Sequence, residues 1–206
     1  MACAEGFYCI VQKLVLDGAD VNDQGGWYGN ALQAACAEGH QSIAQMLLDN
    51  GARVNAVGGR YNTALQAACA EGHGLLAHKV LDKGADIDAA GGHYGSALQA
   101  ASLTGRRQIV QLLLDRNANE NAGGGSYGNP LAAASFGGHA GIVQTLLKAG
   151  AEINVTSVRM LLHEGADVRA AAGWFGNAVQ AATAGFHTEI RQILPSHTIR
   201  NSSPNF

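Results

Sequence analysis

Residues 18–40 run Gly18-Ala19-Asp20-Val21-Asn22-Asp23-Gln24-Gly25-Gly26-Trp27-Tyr28-Gly29-Asn30-Ala31-Leu32-Gln33-Ala34-Ala35-Cys36-Ala37-Glu38-Gly39-His40. Two markers within this stretch return along the chain. The opening triplet comes back, evenly spaced, as Gly51-Ala52-Arg53, Gly84-Ala85-Asp86, Asn117-Ala118-Asn119 and Gly150-Ala151-Glu152. The octet that starts at Tyr28 returns with the same step at Tyr61, Tyr94 and Tyr127. Self-similarity at a fixed period of roughly 33 residues is the mark of a repeat architecture.

Each unit has the pattern of two short helices and a turn. Ala31 to Glu38 is a helix-prone run closed by Gly39, and a short polar residue opens it each time: Asn30, Thr63, Ser96, Asn129 and Asn177. Side chains of this kind cap free N–H groups at a helix start. Pro130 follows Asn129 at the first helical position, where a missing donor is harmless. A second helix is expected from about Gln41 to Asn50, with Ile43, Leu47 and Leu48 at helical spacing. The same columns hold Ile109, Leu113 and Leu114, then Ile142, Leu146 and Leu147. Such a pair is too small to bury its apolar side alone, so the units must stack as an all-α solenoid.

The period breaks once. The last octet, Phe175–Ala182, falls later than the step from Tyr127 allows, and Gly165-Ala166-Asp167 follows too soon after Gly150. One unit has therefore lost its turn, its octet and its first helix, and keeps only Ser157 to Glu164 of its helix pair. A kinked but continuous stack is expected there, because Val158, Leu161 and Leu162 hold the usual apolar columns. The array spans 1–194, with a partial unit at the N-terminus, and 195–206 is a polar tail expected to fray. No polar capping unit is visible at either end, as expected of a piece of a longer chain or an incomplete gene model.

The 28 glycines, roughly twice the usual share, would fit a flexible linker, but 47% of the residues are hydrophobic and enough for a core. A net charge of −3 gives no electrostatic reason to expect nucleic acid or an anionic membrane. No apolar run is long enough to span a bilayer, and Met1-Ala2-Cys3-Ala4-Glu5 lacks the layout of a signal peptide. Four cysteines without such a signal point to free thiols in a reducing compartment. A cytoplasmic location is expected, the nucleus being left open.

The repeated unit of Gly-Ala-Asp-Val-Asn, a turn, a polar cap, Ala-Leu-Gln-Ala-Ala and Gly-His resembles the ankyrin repeat. It departs from that family's Thr-Pro-Leu-His at the first helix start, where this chain has Asn30-Ala31-Leu32-Gln33 and its equivalents. The Gly-Gly-x-Tyr-Gly hairpin and the Leu-Gln-Ala-Ala helix are similar to the ankyrin arrays of fungal NACHT-type receptor proteins. What the resemblance implies is a non-catalytic scaffold that binds a protein through hairpin fingertips and a concave helix face.

Several motifs invite chemistry and lose it to the repeat. Gly123-Gly124-Gly125-Ser126-Tyr127-Gly128 matches G-x-G-x-x-G, but its sister turns do not, so it is one extra glycine in a repeat turn and not a phosphate site. His40, His73, His139 and His187 share a column with Arg106. Residues one repeat apart sit too far from each other to share a zinc ion. By resemblance they make hydrogen bonds in the turn between helices. Cys3, Cys36 and Cys69 continue as Ser102, Ser135 and Thr183, a column of small residues that implies tight helix packing. No catalytic residue, metal or cofactor is expected.

What varies while the rest repeats is the residue before each turn tyrosine or its equivalent: Trp27, Arg60, His93, Ser126 and Trp174. By resemblance this is a fingertip position, and Trp and Arg are favoured at binding hot spots. Tolerant loop drift is the plain alternative. A second variable set contains Glu38, Glu71, Leu103 and Phe136, aligned with first-helix positions that face the ankyrin groove. Leu103 and Phe136 either meet a partner or fill packing gaps. The expected partner is one protein at a time, the chain being a monomer or part of a longer one. An inhibitor or assembly scaffold that covers an enzyme surface is the second reading, and a remnant of a larger receptor the third.

Overall fold

The computed structural model describes residues 1–152. Among them are α1 (Tyr8–Leu16), α2 (Ala31–Glu38), α3 (Gln41–Asp49), α4 (Ala64–Glu71), α5 (Gly74–Asp82), α6 (Ala97–Leu103), α7 (Arg107–Asp115), α8 (Pro130–Phe136) and α9 (Ala140–Ala149). The helices pair as expected, α2 with α3 through α8 with α9, and α1 is the second helix of the partial leading unit. The truncated unit, Asn177, Trp174 and the tail lie outside the described residues.

The polar opening column works as its chemistry dictates. Asn30 Oδ1 accepts from the Gln33 N–H at 2.8 Å, Thr63 Oγ1 from Gln66 at 3.1 Å, Ser96 Oγ from Gln99 at 3.2 Å and Asn129 Oδ1 from Ala132 at 2.7 Å. Each bond satisfies a donor that the first turn leaves free. Gly39 ends α2 at φ +81°, and a Cβ there would stand 2.6 Å from His73 Cε1. Glycine is required twice over, for its left-handed backbone and for the ring of the next unit.

That ring explains the histidine column. His40 Nε2 donates to Ala4 O at 2.8 Å, His73 to Ala37 O at 3.0 Å and His139 to Leu103 O at 2.9 Å. Arg106 Nε reaches Ala70 O at 3.4 Å. These bonds cross to the preceding unit instead of staying within one inter-helix turn, and so they tie neighbours together.

First helices stack directly on one another, α2 on α4, α4 on α6 and α6 on α8, while the second helices form an adjoining layer. The small residues make close approach possible: Ala35, Cys36, Ala68, Cys69, Ala101, Ser102, Ala134 and Ser135 are all fully enclosed. Between the layers lie Leu32, Leu65, Leu98 and Leu131 with Ile43, Leu47, Leu76, Ile109, Leu113 and Leu146. Burying one such side chain stabilises by about 1.5–3 kcal/mol. Burial also pushes the Cys36 thiol up to about 12 and that of Cys69 further still, which fits packing groups and not nucleophiles.

Two more ladders hold the turns. Gln33, Gln66 and Gln99 are buried, and each sends its Nε2 into the hairpin of the following unit. Gln33 donates to Asn62 O at 2.7 Å, Gln66 to Ala89 O at 3.0 Å and Gln99 to Gly124 O at 2.9 Å. Along the outer turns Asn22, Asn55, Asp88 and Asn121 accept from the N–H groups of Arg53, Asp86, Asn119 and Glu152 at 2.7–2.9 Å. The hairpins are thus pinned from inside the stack before their tips are considered.

Candidate functional site

Each described hairpin is closed by one antiparallel bridge: Gly25 with Gly29, Gly58 with Asn62, Gly91 with Gly95 and Gly124 with Gly128. Asn62 stands at φ +73° where the other three units have glycine. Asparagine tolerates that conformation better than most residues. In the G-x-G-x-x-G match, Gly124 and Gly128 form the bridge that closes the fourth hairpin. Neighbouring tips are joined along the backbone, Arg60 N–H to Trp27 O at 3.0 Å and Ser126 N–H to His93 O at 3.3 Å. The variable residues therefore form a row with set spacing.

Trp27 is 63% exposed, and Arg60 and His93 are exposed beside it. The Arg60 guanidinium lies 5.1 Å from the Trp27 ring centre and 5.8 Å from that of Tyr61. His93 packs edge-on to Tyr94 and Tyr127, at 5.1 and 6.2 Å between centroids. Tyr61 and Tyr94 stack at 6.2 Å with 13° between their planes. A shallow groove at the tips is lined by Gly26, Trp27, Gly59, Arg60 and His93. Ser126 is half-buried and ends the described row.

Glu38 and Glu71 sit at the ends of α2 and α4 and are exposed, yet each is engaged. The Tyr28 hydroxyl donates to Glu38 Oε1 at 2.5 Å and that of Tyr61 to Glu71 Oε1 at 2.6 Å. The bond to Glu38 is the main cause that raises the Tyr28 hydroxyl above its ordinary value. For Tyr61 burial comes first and the Glu71 bond second. Leu103 and Phe136 are half-buried and pack against the core, with Phe136 5.1 Å from the Tyr127 ring. The structure thus brings Trp27 and Arg60 together, sets His93 beside an aromatic row and ties the two glutamates to hairpin tyrosines.

Sequence reasoning treats the tyrosines only as markers of the repeat, although Tyr61 supplies the second ring against Arg60. Their regular column is the missed signal; an aromatic ring at every step beside a variable residue is a candidate floor for that residue. Among the described residues no group of three or more His, Cys, Asp or Glu is placed to hold a metal ion. No helix of the described residues is long and apolar enough to cross a membrane.

The chain matches the family described as "Ankyrin repeats (3 copies)" over residues 1–91 and 89–157. It is similar to the crystal structure of the human ASB11 ankyrin repeat domain, with a TM-score of 0.73 and 26% identity, over 93% of this chain and 79% of that one. Among curated proteins no relative matches it.

Proposed function

The chain belongs to the ankyrin-repeat family, and from that premise we propose that it is a non-catalytic module that binds a protein partner through its hairpin tips. The observation that carries this reading is the separation of duties within each unit. Gln, Asn and His columns bond the backbone of neighbouring units inside the stack, while the row Trp27, Arg60, His93 is left exposed on a backbone held by bridges. An exposed Trp beside an Arg costs a scaffold solubility and contributes little to its stability, whereas both residues suit a binding hot spot. The proposed partner-binding set includes Ser126 and, by its place in the sequence repeat alone, Trp174, with Glu38, Glu71, Leu103 and Phe136 as the inner margin. The kinship with fungal NACHT-type receptor arrays belongs to this proposal and rests on the Gly-Gly-x-Tyr-Gly hairpins and the Leu-Gln-Ala-Ala helices alone. So does an intracellular setting, which the free thiols Cys3, Cys9, Cys36 and Cys69 favour.

A photo-crosslinking residue at position 27 tests the reading in source cells, with the same residue at the exposed Gln111 of α7 as the control. A defined adduct from position 27, absent with Arg60→Ala and His93→Ala and weaker or absent from 111, supports it. Equal labelling from both faces, or none from position 27, overturns it.

A further inference from the structure

We propose that Arg60 is a pre-organised anchor for a carboxylate, so that the partner presents an acidic segment to the groove that runs along the first three hairpins. The inference deepens the hairpin-tip reading and rests on it. The Arg60 guanidinium lies against two rings, 5.1 Å from Trp27 and 5.8 Å from Tyr61. Among the described residues its side chain makes no hydrogen bond or ion pair. A cation–π placement uses the charge of the guanidinium and consumes none of its N–H donors, which match the two oxygens of a carboxylate.

The groove walls agree with that choice. Gly26, Trp27, Gly59, Arg60 and His93 include a cation and a second N–H donor, and no Asp or Glu. Glu38 and Glu71 are engaged away from the groove, taking up the hydroxyl ends of Tyr28 and Tyr61. Tyr61 therefore offers its ring to Arg60 and its hydroxyl to Glu71, and the sign of the charge reverses across one side chain. An acidic side chain is accepted at the tips and repelled further in, which fixes the segment's position as well as its charge. An exposed ion pair is ordinarily worth little because long side chains must be ordered. Rings on the guanidinium remove part of that cost before binding.

Selection from a random dodecapeptide library on the full chain tests the proposal. Asp and Glu should be enriched, and a synthetic peptide carrying the enriched sequence should quench Trp27 emission in a Trp174→Phe background. Arg60→Gln should weaken binding about tenfold or more, and Arg60→Lys should recover only part of that loss because Lys lacks the fork. Matching circular dichroism and melting curves establish that the variants are folded; should Arg60→Gln fail to fold, Arg60→Lys decides alone. Peptides that need Trp27 but carry no acidic residue, or that bind Arg60→Gln as tightly as the parent, overturn the carboxylate anchor and leave the hairpin-tip reading standing. Selected peptides indifferent to both Trp27 and Arg60 sink both. Enrichment of Lys or Arg, or of phosphoserine in a phosphorylated library in place of Asp and Glu, also overturns it.

Discussion

Gln66→Leu isolates what the glutamine ladder contributes. Gln66 is 1% exposed, and its Nε2 donates to Ala89 O at 3.0 Å and to Gly95 O at 3.3 Å in the next hairpin. Its Oε1 is enclosed without a hydrogen-bond partner. Leucine keeps the volume but removes donor and orphan acceptor together. Gly95 O keeps the Gly91 N–H, but leaving Ala89 O without its donor costs about 1–3 kcal/mol, and removing the orphan Oε1 returns part of that. The net loss expected for Gln66→Leu is about 1–2 kcal/mol. Gln66→Ala adds a cavity and should lose about 2–4 kcal/mol. Urea unfolding followed by far-UV dichroism measures both, with unchanged m-values confirming an effect on stability alone. Amide exchange gives a local check. The Gly91 N–H closes the hairpin on Gly95 O at 2.8 Å and should exchange faster relative to α4. A Gln66→Leu protein as stable as the parent, with an unchanged hairpin, would refute the reasoning, for the donor would then bring nothing beyond what the orphan oxygen costs.

Gly39→Ala meets a φ of +81° and places its Cβ 2.6 Å from the His73 ring. The left-handed backbone and the contact together should cost more than about 1 kcal/mol. Adding His73→Ala should restore part of that in the double variant, and strict additivity in urea midpoints would contradict the contact. The Cys36 thiol, pushed up to about 12 in the fold from 9.0, is stabilising while protonated; that stability is whole below the unfolded value and is lost as pH rises towards the folded one. Each such thiol should steepen the decline by about 1.4 kcal/mol per pH unit, and Cys36→Ser with Cys69→Ser should flatten it; an unaltered slope would rule the thiols out. A Trp27–Arg60 double-mutant cycle should give a coupling of about 0.5–1 kcal/mol, as stacking at an exposed site does. A coupling above about 2 kcal/mol would make the pair a structural clamp instead of a recognition feature.

The helix pairs were legible in the sequence because local chemistry decides them. Asn30, Thr63, Ser96 and Asn129 cap, and Gly39 terminates, whatever lies further along the chain. Partners one unit away are harder to see. Asn22 reads as one letter of a motif, and only the stack reveals that it accepts from Arg53 and donates its own amide to Gly51 O at 3.0 Å. The histidine column reads as bonding within a turn, while its acceptors lie in the preceding unit. A repeating column identifies a residue with a fixed duty without saying whether that duty is met in its own unit or the next. Glu38 and Glu71 mark the same limit from the other side: their column varies, and yet each is matched to the tyrosine of its own hairpin.

Those pairings explain why the tip row is free to vary. At the second hairpin, Asn62 O accepts from Gln33, Gly58 N–H bonds Asn62 O, and the Arg60 N–H bonds Trp27 O. The hydrogen bonds that hold position 60 use backbone atoms alone, so its side chain carries no hydrogen-bonding duty in holding the turn. Replacing Arg by His or Ser at the equivalent tips then costs the hairpin nothing in hydrogen bonds, and chemical range follows as a physical consequence. Drift alone would produce the same range. It gives no reason for the two largest and most hot-spot-prone of the described tip residues to lie side by side, with the guanidinium of one 5.1 Å from the ring centre of the other and making no hydrogen bond or ion pair among the described residues.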